Sequence, residues 1–176
     1  ARRALGRKDK RFSFEVFDCA KIPHKGCNFD LVIANHVLFY CEDIPAVCNE
    51  IQRVLVPGGK LICSTYGSHH MQEVSQLVQD FDNRIVLSAD RLYERFGREN
   101  GADILAPYFS DISWESYNDS LLVPDAEPLI SYILSCHGNQ NQYLLNKYTD
   151  FRGFVSRKTK DGFFITKDAG IFLCEK

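Results

Sequence analysis

Two apolar runs joined by an amphipathic helix restrict the fold of this chain more than any other feature. The runs are FDLVIAN (29–35) and KLICSTYG (60–67), and each has the length of a buried strand. Between them, apolar residues recur at helical spacing: Ile44, Val47, Cys48, Ile51, Val54 and Leu55. A helix that connects two strands in this way places them parallel in one sheet. The sequence therefore predicts an α/β protein.

The ends of this helix are also marked in the sequence. Asp43 is a favourable N-cap, and Pro45 suits the first helical turn. Pro57-Gly58-Gly59 is predicted to end the helix, because glycine tolerates the positive φ that such an ending requires. The two glycines are therefore assigned a structural role without ligand contact.

The first apolar run ends in polar side chains instead of a turn built from Gly, Pro or Asp. Ala34, Asn35 and His36 follow directly after the buried strand. Such a polar end is typical of a central parallel strand that delivers side chains to a ligand, since open α/β sheets bind ligands at the carboxyl ends of their strands. The sequence therefore predicts a binding site at residues 34–36.

The α/β pattern continues along the rest of the chain. A strand is predicted at 12–18, where Phe12, Phe14 and Val16 alternate with other residues. The later patterns predict helices within 69–106, a strand at 111–123, helices at 129–138 and 143–154, and a final strand at 162–176 with a bulge at 168–170. No internal repeat is present, so a single α/β unit is predicted.

The composition is that of one globular domain. A length of 176 residues suffices for one core, and the net charge of −2 gives no support for nucleic acid or an anionic membrane as a partner. No apolar run approaches the roughly 20 residues that span a bilayer. Seven scattered cysteines without a C-x-x-C pair indicate buried thiols in a reducing cytoplasm. The spacing of Cys19, His24 and Cys27 matches no common zinc pattern, so no metal site is predicted.

The stretch FDLVIANHVLFYCEDIPAVCNEIQRVLVPGGKLICSTYG resembles the middle of a class I S-adenosylmethionine-dependent methyltransferase. Phe29-Asp30, Arg53-Val54-Leu55 and Pro57-Gly58-Gly59 stand in the order and at the spacing of that family. The later stretch FGRENGADILAPYFSDISWESYNDSLLV resembles one bacterial subgroup of these enzymes. The resemblance implies a Rossmann-like methyltransferase fold and transfer of a methyl group from S-adenosylmethionine to a small-molecule acceptor.

The resemblance also implies roles for individual residues. The Asp18 carboxylate would face the adenine amino group of the cofactor, and the backbone amide of Cys19 would bond an adenine ring nitrogen. The strand end at Ala34, Asn35 and His36 would lie under the methionine part of the cofactor. An alternative interpretation is that Asp18 only caps a turn.

A general base is needed if the acceptor must lose a proton. His36 is the first candidate because it projects from the strand end, and Tyr40 is the second. Tyr66, His69 and His70 are further candidates, although His69 and His70 are expected at the solvent-facing start of a helix. A lone histidine is more often a hydrogen-bonded packing residue than a catalytic one.

Two elements of the resembled family are not found in these 176 residues: the glycine-rich turn G-x-G-x-G and the acidic residue that ends the second strand. The chain, which does not begin with Met, is therefore interpreted as the C-terminal part of a single methyltransferase domain (1–176), in which 69–160 includes substrate-lid helices. The family's sheet has the order 3-2-1-4-5-7-6. Without its first two strands the sheet is expected to be incomplete and mixed, with an antiparallel C-terminal strand.

An incomplete sheet has two expected consequences. The strand LVIAN (31–35) would expose an apolar edge, which favours pairing with another chain, and a homo-oligomer is therefore expected. Cofactor binding by these residues alone is expected to be weak or absent. Two other functions stay open at this point: a non-catalytic binding or assembly module with a methyltransferase-like fold, and a nicotinamide oxidoreductase, which would need a G-x-G-x-x-G turn.

Overall fold

Four strands form one mixed sheet in the computed structural model, which describes residues 11–88 and 91–176. The strands are β1 (Phe29–Asn35), β2 (Leu55–Tyr66), β3 (Ser110–Val123) and β4 (Phe163–Glu175). Their order in the sheet is β1-β2-β4-β3. β1 and β2 are parallel, whereas β4 runs antiparallel to both β2 and β3. The predicted α/β class and the antiparallel C-terminal strand are confirmed, and the order corresponds to the positions 4-5-7-6 of the expected sheet.

Helices connect the strands and cover the sheet. In the described residues they are α1 (Ile44–Val54), α2 (Gln72–Phe81), α3 (Leu92–Arg95), α4 (Gly101–Leu105), α5 (Ala126–Ser135), α6 (Gln140–Leu144) and α7 (Tyr148–Thr159). A short 3-10 helix follows β1, and a second one precedes α7. None of the helices in the described part of the chain is long and apolar enough to cross a membrane.

The helix α1 forms as the sequence indicates, but it ends earlier than predicted. The Asp43 side chain accepts a hydrogen bond from the Ala46 N–H at 2.9 Å, which confirms the N-cap. The helix ends at Val54, and Pro57-Gly58-Gly59 lies within β2 instead of terminating α1. Gly58 has a φ of +74°, so glycine is required for a kink at the start of the strand.

The predicted strand at 12–18 is absent, and the predicted bulge at 168–170 is also wrong. Residues 12–18 form no regular secondary structure, and Phe12 and Val16 are exposed. Alternating apolar residues form a strand only when a neighbouring strand supplies hydrogen-bond partners, and the described sheet offers them none. Asp168, Ala169 and Gly170 pair with β3 in unbroken register, and Ala169 and Gly170 also pair with β2.

β1 is an edge strand of the described sheet, not a central one. It pairs with β2 alone, and Leu31 and Ile33 are 46% and 65% exposed. The apolar edge expected at LVIAN is therefore present. The opening interpretation of 29–35 as a central strand is wrong for the sheet formed by residues 11–88 and 91–176.

Two apolar cores lie on opposite faces of the sheet. The first contains the buried residues of α1 together with Leu61, Cys63, Phe172 and Cys174 from β2 and β4. The second packs α2, α5 and α7 against Ile165 of β4. Because successive side chains of a strand point to opposite faces, Ile165 lies on the other face of β4 from Phe172. Helices cover both faces of the sheet. The polar residues that end β1 and β2 lie side by side at the carboxyl ends of these parallel strands.

Candidate functional site

The polar end of β1 is held in a fixed conformation by β2. Ala34 is buried, whereas Asn35 and His36 are exposed. His36 has a φ of +49°, in the left-handed region, which reverses the chain direction. The His36 N–H donates to Ser64 Oγ at 2.9 Å, and the Ser64 hydroxyl donates to the Asn35 side-chain oxygen. We call residues 34–36 together with Ser64 the strand-end site.

Ser64 is a site residue that the sequence analysis missed. It is the residue paired with Asn35 in the parallel register of β1 and β2. The sequence does contain an indication of this site: KLICSTYG also ends in small polar residues, and the carboxyl ends of parallel strands lie side by side.

Tyr66, the last residue of β2, connects the strand-end site with a second group of side chains. Its ring stacks against His36 at a centroid distance of 6.5 Å and lies 5.2 Å from the His70 ring. Burial raises the pKa of the Tyr66 hydroxyl, and the neighbouring hydroxyls of Tyr40, Tyr132 and Tyr93 raise it further. The candidate base Tyr40 is 65% exposed, so the structure leaves its hydroxyl accessible near the strand end.

A cavity of about 600 Å³ begins at Tyr66. Its walls come from the turn after β2, from α2, from the loop that follows α2, and from α5. The lining includes Tyr66, His70, Val74, Ile85, Tyr93 and Tyr132. Cavities of this size hold small molecules in most enzymes. The cavity lining contains none of residues 34–36, and the strand end is connected to the cavity through Tyr66, whose ring stacks against His36.

His70 is not solvent-facing, contrary to the expectation from the sequence. His69 is exposed, but the His70 ring is half-buried, and its Nδ1 atom is buried without a hydrogen-bond partner among the described residues. Burial lowers the pKa of His70 below its ordinary value. Among nearby charges, Asp168 raises this pKa, whereas His36 and Lys167 lower it. The imidazole is therefore neutral at neutral pH.

The turn that carries His70 is fixed to β4 on both sides. The Gly67 N–H donates to the Asp168 carbonyl at 2.8 Å, and the Met71 N–H donates to the Thr166 carbonyl at 2.8 Å. Glu73, in the first turn of α2, accepts hydrogen bonds from the Thr166 N–H and hydroxyl. These bonds determine where His70 and the α2 wall of the cavity lie.

Three potential metal ligands lie on the outer side of this turn. Ligand atoms of His69, Glu99 and Asp168 lie within 4.8 Å of one another. Both carboxylates already have protein donors: Arg98 Nη1 donates to Asp168 at 2.8 Å, and Ser68 donates to Glu99 through its N–H and its hydroxyl. These hydrogen bonds explain why the two carboxylates lie close together, since they hold the turn after β2 in place.

The two residues expected beside the adenine lie in a turn before β1. The Asp18 carboxylate is exposed and accepts a hydrogen bond from the Ala20 N–H at 2.9 Å, so it does cap a turn. The Cys19 thiol lies 3.5 Å from the thiol of Cys41, which follows the 3-10 helix after β1. The structure therefore brings Cys19 to the segment next to the strand-end site, while the carboxylate of Asp18 stays accessible.

Part of the chain is similar in sequence to known methyltransferases. Residues 1–63 match the family model described as a methyltransferase domain. The biotin biosynthesis bifunctional protein BioHC of Saccharophagus degradans is 32% identical over 78 residues, covering 44% of this chain and 14% of that protein. A malonyl-acyl-carrier-protein O-methyltransferase of Methylovorus is 31% identical over 71 residues, covering 40% of this chain and 24% of that protein. The chain thus spans less than a third of the length of these curated relatives.

The fold is also shared with solved structures. A proposed methyltransferase from Bacillus halodurans superimposes with a TM-score of 0.52 at 10% identity, over 91% of this chain and 69% of that chain. At this identity the likeness shows the fold alone, and it confirms the predicted Rossmann-like architecture. The sequence matches and the fold both agree with the resemblance to the class I S-adenosylmethionine-dependent methyltransferases.

Proposed function

We propose that the protein carrying these residues transfers a methyl group from S-adenosylmethionine to a small-molecule acceptor at the carboxyl ends of β1 and β2. One observation carries the proposal beyond the family relationship. Tyr66 stacks against His36 of the strand-end site and also lines the neighbouring cavity. A cofactor site and an acceptor site must share such a boundary, because methyl transfer requires the two reactants in contact and in line.

The exposed groups fit the polar parts of the cofactor. The Asp18 carboxylate accepts hydrogen bonds, which suits the adenine amino group, and the Cys19 N–H would donate to an adenine ring nitrogen. Ala34 is small and buried, so its side chain does not block the end of the strand. Asn35 uses its oxygen for Ser64 and the His36 N–H donates to the same hydroxyl, which leaves the Asn35 amide donors and the His36 carbonyl for the amino-acid part of the cofactor.

The reaction asks the protein mainly for positioning. When bound, S-adenosylmethionine supplies a methyl group that is already activated on a sulfonium. His36 is the proposed base because its ring projects from the rigid strand end next to Tyr66. Tyr40 is the second candidate, since its exposed ring packs against Phe39 at 4.7 Å in the helix that follows β1.

The proposal is tested by calorimetric titration with S-adenosylhomocysteine, the product form of the cofactor. We expect micromolar binding by the protein expressed from the complete reading frame, and much weaker binding by residues 1–176, because the glycine-rich turn is not among them. No binding by the complete protein would refute the proposed function. Micromolar binding by residues 1–176 alone would refute the second expectation.

The exposed edge of β1 supports an assembly module as the second candidate function. Leu31 and Ile33 present an apolar edge with unpaired backbone groups in the described sheet, which favours strand pairing between two copies. Sedimentation velocity of the wild type and of Ile33→Lys tests this proposal. Concentration-dependent association that the substitution abolishes would support it, and a monomer at all concentrations would contradict it.

A further inference from the structure

We infer that the cavity beside Tyr66 takes an uncharged, largely apolar acceptor that presents a hydroxyl group to His70, and that it discriminates against cationic amines. This inference rests on the proposed function, because it assigns the cavity as the acceptor site. It concerns the chemistry of the acceptor, which the family relationship leaves open.

One wall of the cavity is apolar, and the rest of the lining carries uncharged polar side chains, among them Ser75, Gln79 and Ser88. Val74 and Val78 of α2 and Ile85 of the following loop are fully buried and line it. The tyrosines Tyr66 and Tyr132 add ring surface from β2 and α5. Such walls gain free energy from the hydrocarbon part of a ligand and give no favourable site to a charged group.

The charge of the lining argues against an ammonium group. Among the described lining residues, Arg91 is the charged side chain, and no carboxylate is present. Arg91 itself pairs with Glu94 at 3.0 Å. An amine cation would lose hydration without gaining a counter-charge, and cation–π contact with a tyrosine ring offsets only a part of that loss.

His70 is the lining residue with a buried ring nitrogen that has no hydrogen-bond partner among the described residues, and it favours a hydroxyl. Its imidazole is neutral, so it offers one N–H donor and one nitrogen acceptor. A hydroxyl both donates and accepts, and it therefore fits whichever ring nitrogen faces the cavity. An ammonium only donates and a carboxylate only accepts, so each fits only one of the two tautomers. The fixed turn after β2 holds the ring in place for this contact.

Three probes with one hydrocarbon body test the inference: para-phenylbenzyl alcohol, para-phenylbenzylamine and para-methylbiphenyl. Their dissociation constants are measured by ligand-observed NMR with the protein expressed from the complete reading frame, without cofactor. We expect the alcohol to bind at least about tenfold more tightly than the amine. Binding of the amine as tight as that of the alcohol would overturn the inference.

Variants locate the binding. His70→Phe keeps a ring of similar size but removes the polar nitrogens, so it is expected to weaken alcohol binding by roughly threefold to tenfold and to leave the hydrocarbon unchanged. Equal weakening of both probes would overturn the role of His70. Ser75→Trp, on the exposed face of α2 at the cavity, is expected to abolish binding, whereas the adjacent Gln76→Trp, outside the lining, is not. Unchanged binding in Ser75→Trp would overturn the location, even if His70→Phe fails to fold.

Failure of this inference is distinguishable from failure of the proposed function. Titration of the complete protein with S-adenosylhomocysteine tests the cofactor site without the probes. Absence of that binding would overturn the acceptor assignment together with the proposed function. Normal cofactor binding combined with a preference for the amine would overturn the present inference alone.

Discussion

Glu73 connects the cavity wall to the sheet, and its removal gives a prediction with a calculable size. Glu73 Oε2 accepts a hydrogen bond from the Thr166 N–H at 2.9 Å, and Oε1 accepts one from the Thr166 hydroxyl. Hydrogen bonds to an ionised, partly exposed carboxylate contribute about 1 kcal/mol each. Glu73→Ala is therefore expected to lower the free energy of unfolding by about 2 kcal/mol. The substitution removes both of these side-chain hydrogen bonds between α2 and β4, whereas the bond from the Met71 N–H to the Thr166 carbonyl remains.

Glu127→Ala is the matched control. Glu73 and Glu127 both lie in the first turn of a ten-residue helix, so each substitution removes the same favourable interaction with the helix dipole. Glu127 pairs with the exposed Arg152 and makes no bond to the sheet. Exposed ion pairs contribute between 0 and about 1 kcal/mol, so this variant is expected to lose roughly 1 kcal/mol less stability than Glu73→Ala.

The pH dependence gives a second check on Glu73. Burial raises its pKa, but the hydrogen bonds from Thr166 outweigh this effect, and the pKa lies below the ordinary value of 4.5. A carboxylate with a lowered pKa stabilises the fold above the unfolded-state pKa, and this stability is lost as the pH falls through the folded-state pKa. Urea unfolding followed by circular dichroism measures both effects. Equal losses for the two variants, or a Glu73 effect that persists undiminished in acid, would refute the reasoning.

Four further predictions concern the site, the sheet and helix α7. Ser64→Ala removes the hydroxyl that accepts the His36 N–H and holds His36 in the left-handed region. A non-glycine residue in that region is less stable by roughly 1–3 kcal/mol, so without this hydrogen bond His36 is expected to leave the conformation. Cofactor binding is therefore expected to weaken at least fivefold in Ser64→Ala and to be retained in Ser64→Thr. An NMR titration of His70 should give a pKa below 6.5, and a pKa above that value would contradict its burial. Gly170→Ala places a methyl group 2.3 Å from the Glu115 carbonyl and is expected to destabilise the chain by about 1–3 kcal/mol in thermal unfolding. Gly153→Ala, in α7 with its nearest neighbour 3.6 Å away, is expected to stabilise it by about 0.5–1 kcal/mol.

The part of the fold that depends on local pattern could be predicted from the sequence. The helix α1 follows from its apolar spacing and from the Asp43 cap, and β2 follows from a continuous apolar run. The end of α1 could not be placed, because the backbone at Leu55 already turns to the extended conformation that pairs with β1. Competition between helix and sheet for the same residues is decided by tertiary pairing, which a local pattern does not contain.

Errors at 12–18 and 168–170 have the same physical origin. The alternation of Phe12, Phe14 and Val16 is a strand pattern, but a strand is stable only beside a hydrogen-bonding neighbour. Gly170 suggested a bulge, whereas the structure uses it for close packing: an added Cβ would lie 2.5 Å from the Trp114 ring. Both outcomes depend on residues far away in the sequence.

The candidate site also has a part that the local sequence predicts and a part that depends on tertiary structure. The strand end at Asn35 and His36 was visible because polar residues interrupt an apolar run. The sequence predicts His70 at the solvent-facing start of a helix. The burial of its ring arises from Tyr66 and from residues later in the chain that line the cavity. The roles of Asp18, Cys19, Ala34, Asn35, His36 and Tyr40 in binding and catalysis stay predictions.

The central claim is that the cofactor binds at the strand-end site formed by residues 34–36 and Ser64. Amide chemical-shift mapping of the protein expressed from the complete reading frame, with saturating S-adenosylhomocysteine, tests it most directly. We expect the largest shift changes at Ala34, Asn35, His36 and Ser64. Shift changes confined to other parts of the protein, with the strand end unchanged, would contradict it.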